Sequence, residues 1–412
     1  MNKALAAFKS NLKQYTMMMA LAVIILLFQV ITGGKLLFPM NVFNIINQNA
    51  YIVILAIGML LCILGSGSID LSVGSVVGLV GAFAGIFIMK WKWDPYLSIL
   101  LCMGIGILVG AWQGFWIAYV KIPAFIVTLS GMLVFRGATL MLLQGGKAIP
   151  VFPAEYKQFF VGTTPEFFGI WEVAGVKIYL TCLLLGILIA AVFCVTQVIS
   201  NQNKKRKGYE YAGTGALLTR MAIISAVVIW FFYLLSRYKG IPSVLIVMGI
   251  IAALYTFITN KTVIGRHIYA MGGNANAARL SGVNTDRLMF FSYVNMGFLA
   301  GIAGMVFAAR LDSATPMAGD GFELDAIGAC YLGGASAYGG IGTVGGTLIG
   351  ALIMGVLNNG MNLMGIDSNV QKLVKGLVLL LAVAFDVVSQ GHVVLPAFLR
   401  FGKKKTETVM SR

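Results

Sequence analysis

Long apolar runs separated by short polar segments dominate the sequence. About 20 mostly apolar residues are enough for a helix to cross the hydrocarbon core of a bilayer. Runs of this kind occupy residues 15–31, 50–64, 71–89, 96–118, 125–143, 178–198, 221–235, 244–259, 288–308, 344–357 and 373–388. The glycine-rich stretch 326–341 either crosses as a further, broken span or folds back as a re-entrant segment. The pattern predicts an all-α, polytopic membrane helix bundle with about 10–12 transmembrane helices, some of them broken or re-entrant.

Composition supports a membrane protein and excludes a soluble enzyme. Of the 412 residues, 59% are hydrophobic and 11% are charged, whereas soluble domains carry about 25% charged residues. The net charge of +16 comes from cations that gather in short segments between the apolar runs. This placement is typical of membrane topology rather than of phosphate binding. We therefore expect contact with a lipid bilayer and no nucleic acid partner.

The placement of charge also predicts the topology. Lys3, Lys9 and Lys13 precede the first run, and no small-residue cleavage site follows it, so we interpret it as a retained span. Cations outnumber anions in three segments, 201–220, 259–287 and 400–412. Charge is balanced or acidic in two others, 144–177 and 312–325. Because Lys and Arg favour cytoplasmic loops, both termini are predicted to be cytoplasmic, which requires the glycine-rich stretch to count as a twelfth crossing.

We interpret residues 1–412 as a single transmembrane domain. Its predicted parts are N-terminal spans 15–143, an outer loop 144–177, a three-span region 178–259 with a basic cytoplasmic loop 201–220, a cytoplasmic loop 260–287, C-terminal spans 288–388 and a cytoplasmic tail 389–412. Close glycine spacing, as in Gly106/Gly110/Gly114 and Gly297/Gly301, predicts tight helix packing.

The residues that usually carry catalysis are scarce. The five cysteines lie in apolar runs without the paired spacing of a metal or disulfide framework, and His267 and His392 are isolated. We therefore predict no catalytic residues, no metal site and no bound cofactor. No Walker sequence is present, so ATP, if it is used, is hydrolysed by another subunit.

Polar residues at membrane depth are the candidates for a transport pathway or gate. They are Ser68, Asp70, Ser72, Ser75, Arg136, Glu323 and Asp325. Asp70 either caps the third span or, with the neighbouring hydroxyls, hydrates a polar solute. Arg136 either lines a pathway or interface, or forms a buried structural pair. The acidic segment around Glu323 either meets an external partner or is a solvated loop.

The segment 265–287 contains a predicted short helix. Gly272 and Gly273 break the chain, Asn274 is placed to cap the helix, and Gly282 is placed to end it. Such a helix is too short to be stable alone. We therefore expect it to dock onto the membrane domain or onto another protein.

The motifs in this chain resemble one family of transport proteins. They are the sequences GSIDLSVGS (67–75), GRHIYAMGGN (265–274), AARLSGVN (277–284), ELDAI (323–327) and GGTLIGAL (345–352). In this order they are similar to the permease subunits of bacterial ABC sugar importers of the ribose, xylose and galactose class. The resemblance covers residues from about 41 to 385. The three spans in 178–259 exceed the number in many members, and this longer form resembles the xylose and multiple-monosaccharide permeases.

The resemblance implies a mechanism and a set of partners. Two permease copies enclose a pathway in the bacterial cytoplasmic (inner) membrane, and an extracytoplasmic binding protein delivers a monosaccharide such as xylose, galactose, arabinose or ribose. A cytoplasmic ABC ATPase, with two fused nucleotide-binding domains, holds ATP–Mg. The ATPase docks on a coupling helix, which maps to Asn274, Asn276, Ala277, Ala278, Arg279, Leu280, Ser281 and Gly282. We expect Arg279→Glu to uncouple ATP hydrolysis from transport.

Other functions stay open on the sequence alone. The same superfamily could carry a branched-chain amino acid or a nucleoside, which a competition assay with a panel of solutes would separate. A secondary transporter driven by H⁺ or Na⁺ would need intramembrane carboxylates or histidines, and these are scarce. An ATP-independent channel is the third alternative, although no selectivity motif is visible.

Overall fold

The computed structural model describes residues 12–150, 152–173, 175–209, 211 and 213–389. The predicted N-terminal cations Lys3 and Lys9, the C-terminal tail beyond Ser389, and therefore both predicted chain termini lie outside the described residues. Fifteen helices form the described chain: α1 Leu12–Ile31, α2 Pro39–Ser66, α3 Val73–Gly85 with a π-helical turn Ile86–Lys90, α4 Pro95–Ala118, α5 Ala124–Leu142, α6 Ala154–Val161, α7 Leu180–Arg206, α8 Thr214–Ser236, α9 Ser243–Lys261, α10 Val263–Gly273, α11 Ala275–Leu280, α12 Thr285–Leu311, α13 Phe322–Leu332, α14 Val344–Leu363 and α15 Ser368–Ser389.

Strands are confined to the connections. The short strands β1 (Ile149–Pro150) and β4 (Ser313–Ala314) pair antiparallel, and β2 (Ile170–Val173) with β3 (Val176–Tyr179) forms a hairpin. The predicted outer loop 144–177 thus contains helix α6 and most of this hairpin. Nine helices among the described residues are long and apolar enough to cross a membrane. The predicted all-α, polytopic bundle is confirmed.

Local sequence signals set several helix boundaries. The Asp94 carboxylate accepts hydrogen bonds from the Tyr96 and Leu97 N–H groups at 2.9 and 3.0 Å, and Pro95 opens α4 with a fixed φ. Thr343 caps α14 through the Gly346 N–H at 3.0 Å. Asn284 caps α12 through the Arg287 N–H at 2.9 Å. Side-chain caps therefore fix where these long apolar helices begin.

The bundle is built around α2 and α12, which run antiparallel. The Cys62 thiol contacts the Ser292 carbonyl oxygen near one end, and Arg310 donates to the Gln48 carbonyl oxygen at 3.3 Å near the other. The end that carries α10 and α11 is called the α11 end here. The predicted glycine spacing is used for close packing, because a Cβ on Gly106 would lie 2.5 Å from the Gly297 carbonyl oxygen.

Two crossings are broken near the middle of the bundle. The first break (residues 67–72) follows α2 and turns back inward, where the Asp70 N–H donates to the Met59 sulfur at 3.3 Å. The second break (residues 312–321) follows α12 and enters from the opposite end. It passes Gly85 at Ala314 and reaches Gly74 at Gly319. From Gly85 to Gly74 the path runs along about 17 Å of the helix, at a rise of 1.5 Å per residue. This length is roughly half the thickness of the hydrocarbon core of a bilayer.

The two broken helices belong to two similar units of opposite direction. In α2–α5 and in α12–α15 a long helix is followed by a break, a shorter helix and two further crossings. The stretch 326–341, predicted either to cross or to fold back, can be followed through the bundle. The second break and α13 lead toward the α11 end, where Cys330 donates to the Ala56 carbonyl oxygen and Gly340 reaches the Leu64 carbonyl oxygen. Such inverted units are common in transporters.

Candidate functional site

The tips of the two breaks meet inside the bundle. Gly74, in the first turn of α3, lies so close to Gly319 that a Cβ on either residue would collide with the carbonyl oxygen of the other. A Cβ on Gly74 would also lie 2.6 Å from Glu323 Oε2. The structure therefore brings together the two polar interruptions that are far apart in the sequence.

The first break is held by neutral hydrogen-bonding groups around one acidic side chain. Asp70 Oδ1 accepts from the Ser72 N–H at 2.8 Å and from the Ser72 hydroxyl at 2.7 Å. Gln113 of α4 donates to the same hydroxyl. Asp70 thus forms a local turn just before α3, instead of capping the first turn of the helix as one of the sequence alternatives supposed. Ser75 is buried, and its hydroxyl has no hydrogen-bond partner among the described residues, whereas Ser68 is half-buried.

The second break is held by cations from two flanking helices. Arg136 of α5 donates to the carbonyl oxygens of Pro316 and Ala318 at 3.0 and 2.8 Å. Lys372 of α15 pairs with Asp320 at 2.8 Å. Of the two sequence alternatives for Arg136, the structure shows the side chain bonded to the backbone of this break.

A buried ion pair lies where α13 begins. Asp325 is 0% exposed and pairs with Lys375 of α15, with Nζ to Oδ1 at 2.9 Å. The Tyr51 hydroxyl of α2 donates to Asp325 Oδ2 at 2.7 Å. Burying two charges is costly unless both are paired and hydrogen-bonded. Here Lys375 and Tyr51 both donate to Oδ2, while Oδ1 lies beside the Lys375 ammonium without a hydrogen bond among the described residues.

The sequence predicted one set of residues at the breaks and missed another. Asp70, Ser72, Arg136, Glu323 and Asp325 all lie at or beside the two breaks. The residues missed are Tyr51, Gln113, Lys372 and Lys375. For Gln113 the available signal was a polar residue inside the apolar run 96–118. For Lys375 it was a lysine inside the apolar run 373–388.

The predicted short helix is present as α11 and is mostly exposed. Asn274 caps it, with its Oδ1 accepting from the Ala277 N–H at 2.9 Å, and Gly282 follows it in the left-handed region at φ +86°. Ala278 is buried against the bundle, while Leu280 is 90% exposed. The remaining predicted members, Asn276, Ala277, Arg279 and Ser281, are also exposed.

An ion cluster fixes the base of α11. Asp286, in the first turn of α12, accepts from Arg279 at 3.1 Å and also pairs with Lys121 of the α4–α5 turn. These side chains are partly exposed, so their ion pairs contribute little to the free energy of unfolding. Their main effect is to hold α11 in one orientation on the bundle.

Glycines bring the segment before α11 into direct contact with the end of α2 and with the loop after α13. A Cβ on Gly272, just before α11, would lie 2.4 Å or less from the Gly340 nitrogen and the Leu64 carbonyl oxygen. Gly340 itself donates to that oxygen at 2.9 Å. A Cβ on Gly67, at the start of the first break, would lie 2.5 Å from the Ala337 carbonyl oxygen. The segment that carries α11 therefore touches the end of α2 and the loop after α13 without intervening side chains.

The two broken helices are the main polar feature inside the bundle. Among the residues that the structure describes, no three His, Cys, Asp or Glu side chains converge on one point. In the described bundle, two broken helices meet at Gly74 and Gly319. The exposed helix α11 follows Gly272, which contacts the end of α2 and the loop after α13. Broken helices of this kind define a polytopic membrane transport protein.

Comparison with known proteins agrees with that class. The chain belongs to the family BPD_transp_2, described as "Branched-chain amino acid transport system / permease component", which matches residues 41–383. It is 38% identical over 379 residues to the xylose transport system permease protein XylH of Haemophilus influenzae, covering 91% of this chain and 96% of the relative. XylH of Escherichia coli K12 is 37% identical over 376 residues, covering 91% and 92%.

A ribose protein is also similar along most of the chain. The ribose import permease protein RbsC of Escherichia coli K12 is 36% identical over 346 residues, covering 84% of this chain and 85% of the relative. No solved structure matches the chain. The resemblance to permeases of monosaccharide importers, drawn from the sequence motifs, is confirmed.

Proposed function

We propose that this chain is the membrane-spanning permease subunit of an ATP-driven ABC importer that carries a monosaccharide across the bacterial cytoplasmic membrane. The observation that carries the proposal is the similarity to xylose permeases over 91% of the chain, which includes the long three-span region. Xylose is the first sugar to test and ribose the second. A branched-chain amino acid is the second candidate cargo, because the family description names it.

Helix α11 is the proposed docking element for a cytoplasmic ATPase. Its exposed Leu280 offers an apolar contact, and its ion cluster with Asp286 fixes its orientation on the bundle. No Walker sequence occurs in this chain, so the proposed ATPase is the subunit that holds ATP–Mg. Two fused nucleotide-binding domains in that ATPase follow from the family resemblance alone. The proposed docking requires the α11 end of the bundle to face the cytoplasm, and the charge placement in the sequence predicts both termini on that same side.

The close glycine contacts supply a route from α11 to the breaks. Displacement of α11 shifts Gly272, which touches both Gly340 and the end of α2. The backbones are in direct contact, with no side chain between them to absorb the movement. Such a shift is therefore passed on to the loops before α3 and after α13. Binding of ATP by the partner then favours one of two arrangements of the pathway. A second copy of this chain and an extracytoplasmic sugar-binding protein complete the proposed importer.

Purification from the native membrane tests this assembly. The chain would be extracted in a mild detergent, and the proteins that accompany it would be identified by mass spectrometry with and without xylose, ribose or leucine. We expect a stoichiometric ATPase with two Walker sequences, joined by a binding protein when the transported solute is added. A chain that purifies alone and moves solute in liposomes without ATP would contradict the proposal and favour an ion-coupled transporter.

A further inference from the structure

The helical hairpin α7–α8 is attached to the bundle at one end only. Its buried residues all lie toward the end opposite α11: Cys182, Gly186, Ala190, Phe232, Leu234, Leu235 and Ser236. They pack with Val42, Phe43 and Ile241. Between Ala190 and Phe232 none of the described residues is buried. The hairpin therefore leaves the bundle as it approaches the α11 end, with apolar side chains on its outer surfaces.

The tip of this hairpin is strongly basic. Four consecutive cations, Lys204, Lys205, Arg206 and Lys207, end α7, and Arg220 lies in the second turn of α8. All five are exposed, and in the part of the chain that the structure describes none of them forms an ion pair. Lys205 lies over the Tyr211 ring, with its Nζ 5.7 Å from the ring centroid. Within the described residues, the other four cations make no ring contact of this kind and are exposed.

The length of α7 fixes the depth of these cations. The apolar part of the helix, residues 180–199, would span about 30 Å, which matches the hydrocarbon core. The polar residues that follow, from Ser200 to Arg206, then lie at the level of the lipid headgroups. Lipid chains that cover the exposed apolar surfaces of the hairpin hold their headgroups at this same level.

We propose that the α7–α8 tip (Lys204–Lys207 with Arg220) binds the headgroups of anionic phospholipids. Lys and Arg next to a membrane span attract anionic headgroups, and the five cations of the tip outnumber the acidic residues of segment 201–220, which has only Glu210. The exposed apolar surface directly beside the cations favours lipid over the acidic surface of a protein. This site does not depend on the identity of the transported solute.

Counting bound lipids on the purified chain tests the site. The chain would be reconstituted in nanodiscs of phosphatidylcholine and phosphatidylglycerol at a 4:1 ratio, released, and analysed by native mass spectrometry. We compare wild type with the triple variant Lys204→Gln, Arg206→Gln, Lys207→Gln, which spares Lys205. At about 1 kcal/mol for each cation, the variant loses about a hundredfold in affinity for phosphatidylglycerol, while retention of phosphatidylcholine is unchanged.

A matched control removes exposed cations at the same end of the bundle. The control variant, Lys261→Gln, Arg266→Gln, Arg287→Gln, retains phosphatidylglycerol as wild type does. Labelling of Tyr209→Cys in the triple variant background, with an impermeant maleimide from each side of the membrane, verifies that the hairpin keeps its topology. Equal phosphatidylglycerol retention by wild type and triple variant overturns the proposal. So does a triple variant that keeps the lipid and loses a co-purifying protein, which would make the tip a protein-docking surface.

Discussion

The two breaks in the bundle are similar in path and different in the forces that hold them. The first is held by short hydrogen bonds within its own turn, from Ser72 to Asp70, with one further bond from Gln113. The second is held from outside, by Arg136 of α5 and Lys372 of α15, and the helix that directly follows it is held by the pair of Lys375 with Asp325. Equivalent positions in two inverted units have therefore been stabilised in different ways.

This difference assigns the two breaks different mechanical properties. A turn that satisfies its own polar groups keeps its shape when the neighbouring helices move. A segment whose carbonyl and carboxyl groups are bonded to two other helices follows those helices, because separation would leave buried polar groups unpaired. We therefore expect the second break to respond to movements of α5 and α15, and the first to act as the fixed element.

The largest effect is expected from removing the cation of the buried pair. Lys375→Met leaves the Asp325 carboxylate buried with only the Tyr51 hydroxyl, which destabilises the protein by about 3–5 kcal/mol. Denaturation in mixed SDS micelles measures this change. The double variant Lys375→Met, Asp325→Asn recovers most of the loss. Lys372→Met on the same helix is the matched control, since its pair with Asp320 is exposed and contributes less than about 1 kcal/mol. Equal losses of unfolding free energy for Lys372→Met and Lys375→Met would show that the buried pair does not stabilise the protein more than the exposed one.

A smaller effect is expected at the contact between the two tips. Gly74→Ala pushes a methyl group against the Gly319 backbone and Glu323, and overpacking of this kind costs about 1–3 kcal/mol. Gly104→Ala is the control, because no atom lies within 4 Å of the position of its Cβ. The same denaturation assay compares them. A Gly74→Ala protein as stable as Gly104→Ala would show that the tips are not in contact.

The first break is expected to tolerate loss of its charge. Asp70→Asn keeps an oxygen that accepts from the Ser72 N–H and hydroxyl, so we expect a loss of less than about 1.5 kcal/mol. Asp325→Asn, the same substitution at the second break, is more damaging because it leaves the Lys375 ammonium without a counter-ion. Thermal unfolding in detergent ranks the two variants. The opposite ranking would reverse the roles assigned to the breaks.

The smallest effect on stability is expected at Asp312, the first residue of the second break. The Lys157 ammonium and the Phe152 N–H lower the pKa of Asp312 below its ordinary value of 3.8. A carboxyl group with a lowered pKa stabilises the fold above about pH 4, and this contribution disappears as the pH falls through the folded-state pKa. Because both side chains are about two-fifths exposed, we expect less than about 1 kcal/mol. The stability difference between wild type and Lys157→Met should therefore shrink between pH 5 and pH 3, and a constant difference would contradict it.

Much of this architecture could be predicted from apolar runs and charge placement. The runs 96–118 and 344–357 closely match α4 and the first part of α14, because lipid-facing and buried positions are both apolar in a membrane. The Asn274 cap and the Gly282 stop also act as the sequence indicated. The start of α2 was missed by eleven residues, since Asn41, Asn47 and Asn49 make its first turns look polar although they are buried.

The pairing at the breaks could not be predicted in the same way. Asp325 and Lys375 are 50 residues apart and meet only because α15 returns beside α13. Gly74 and Gly319 meet only because two units of opposite direction insert their breaks from opposite ends. Such contacts depend on tertiary packing, which a hydropathy pattern does not encode. The sequence indicated that both segments were polar and interrupted, and their meeting required the fold.

We propose above that ATP hydrolysis by a partner drives sugar uptake through contact with α11. Leu280→Asp tests it more cleanly than Arg279→Glu, because Leu280 is 90% exposed whereas Arg279 also holds Asp286. The measurement is uptake of radiolabelled xylose by proteoliposomes that contain the chain, its co-purified ATPase and binding protein, with ATP on the ATPase side. We predict uptake that requires ATP, resists a protonophore and falls at least tenfold in Leu280→Asp, with Arg287→Gln unchanged. Uptake that persists without ATP and stops with the protonophore would contradict the account.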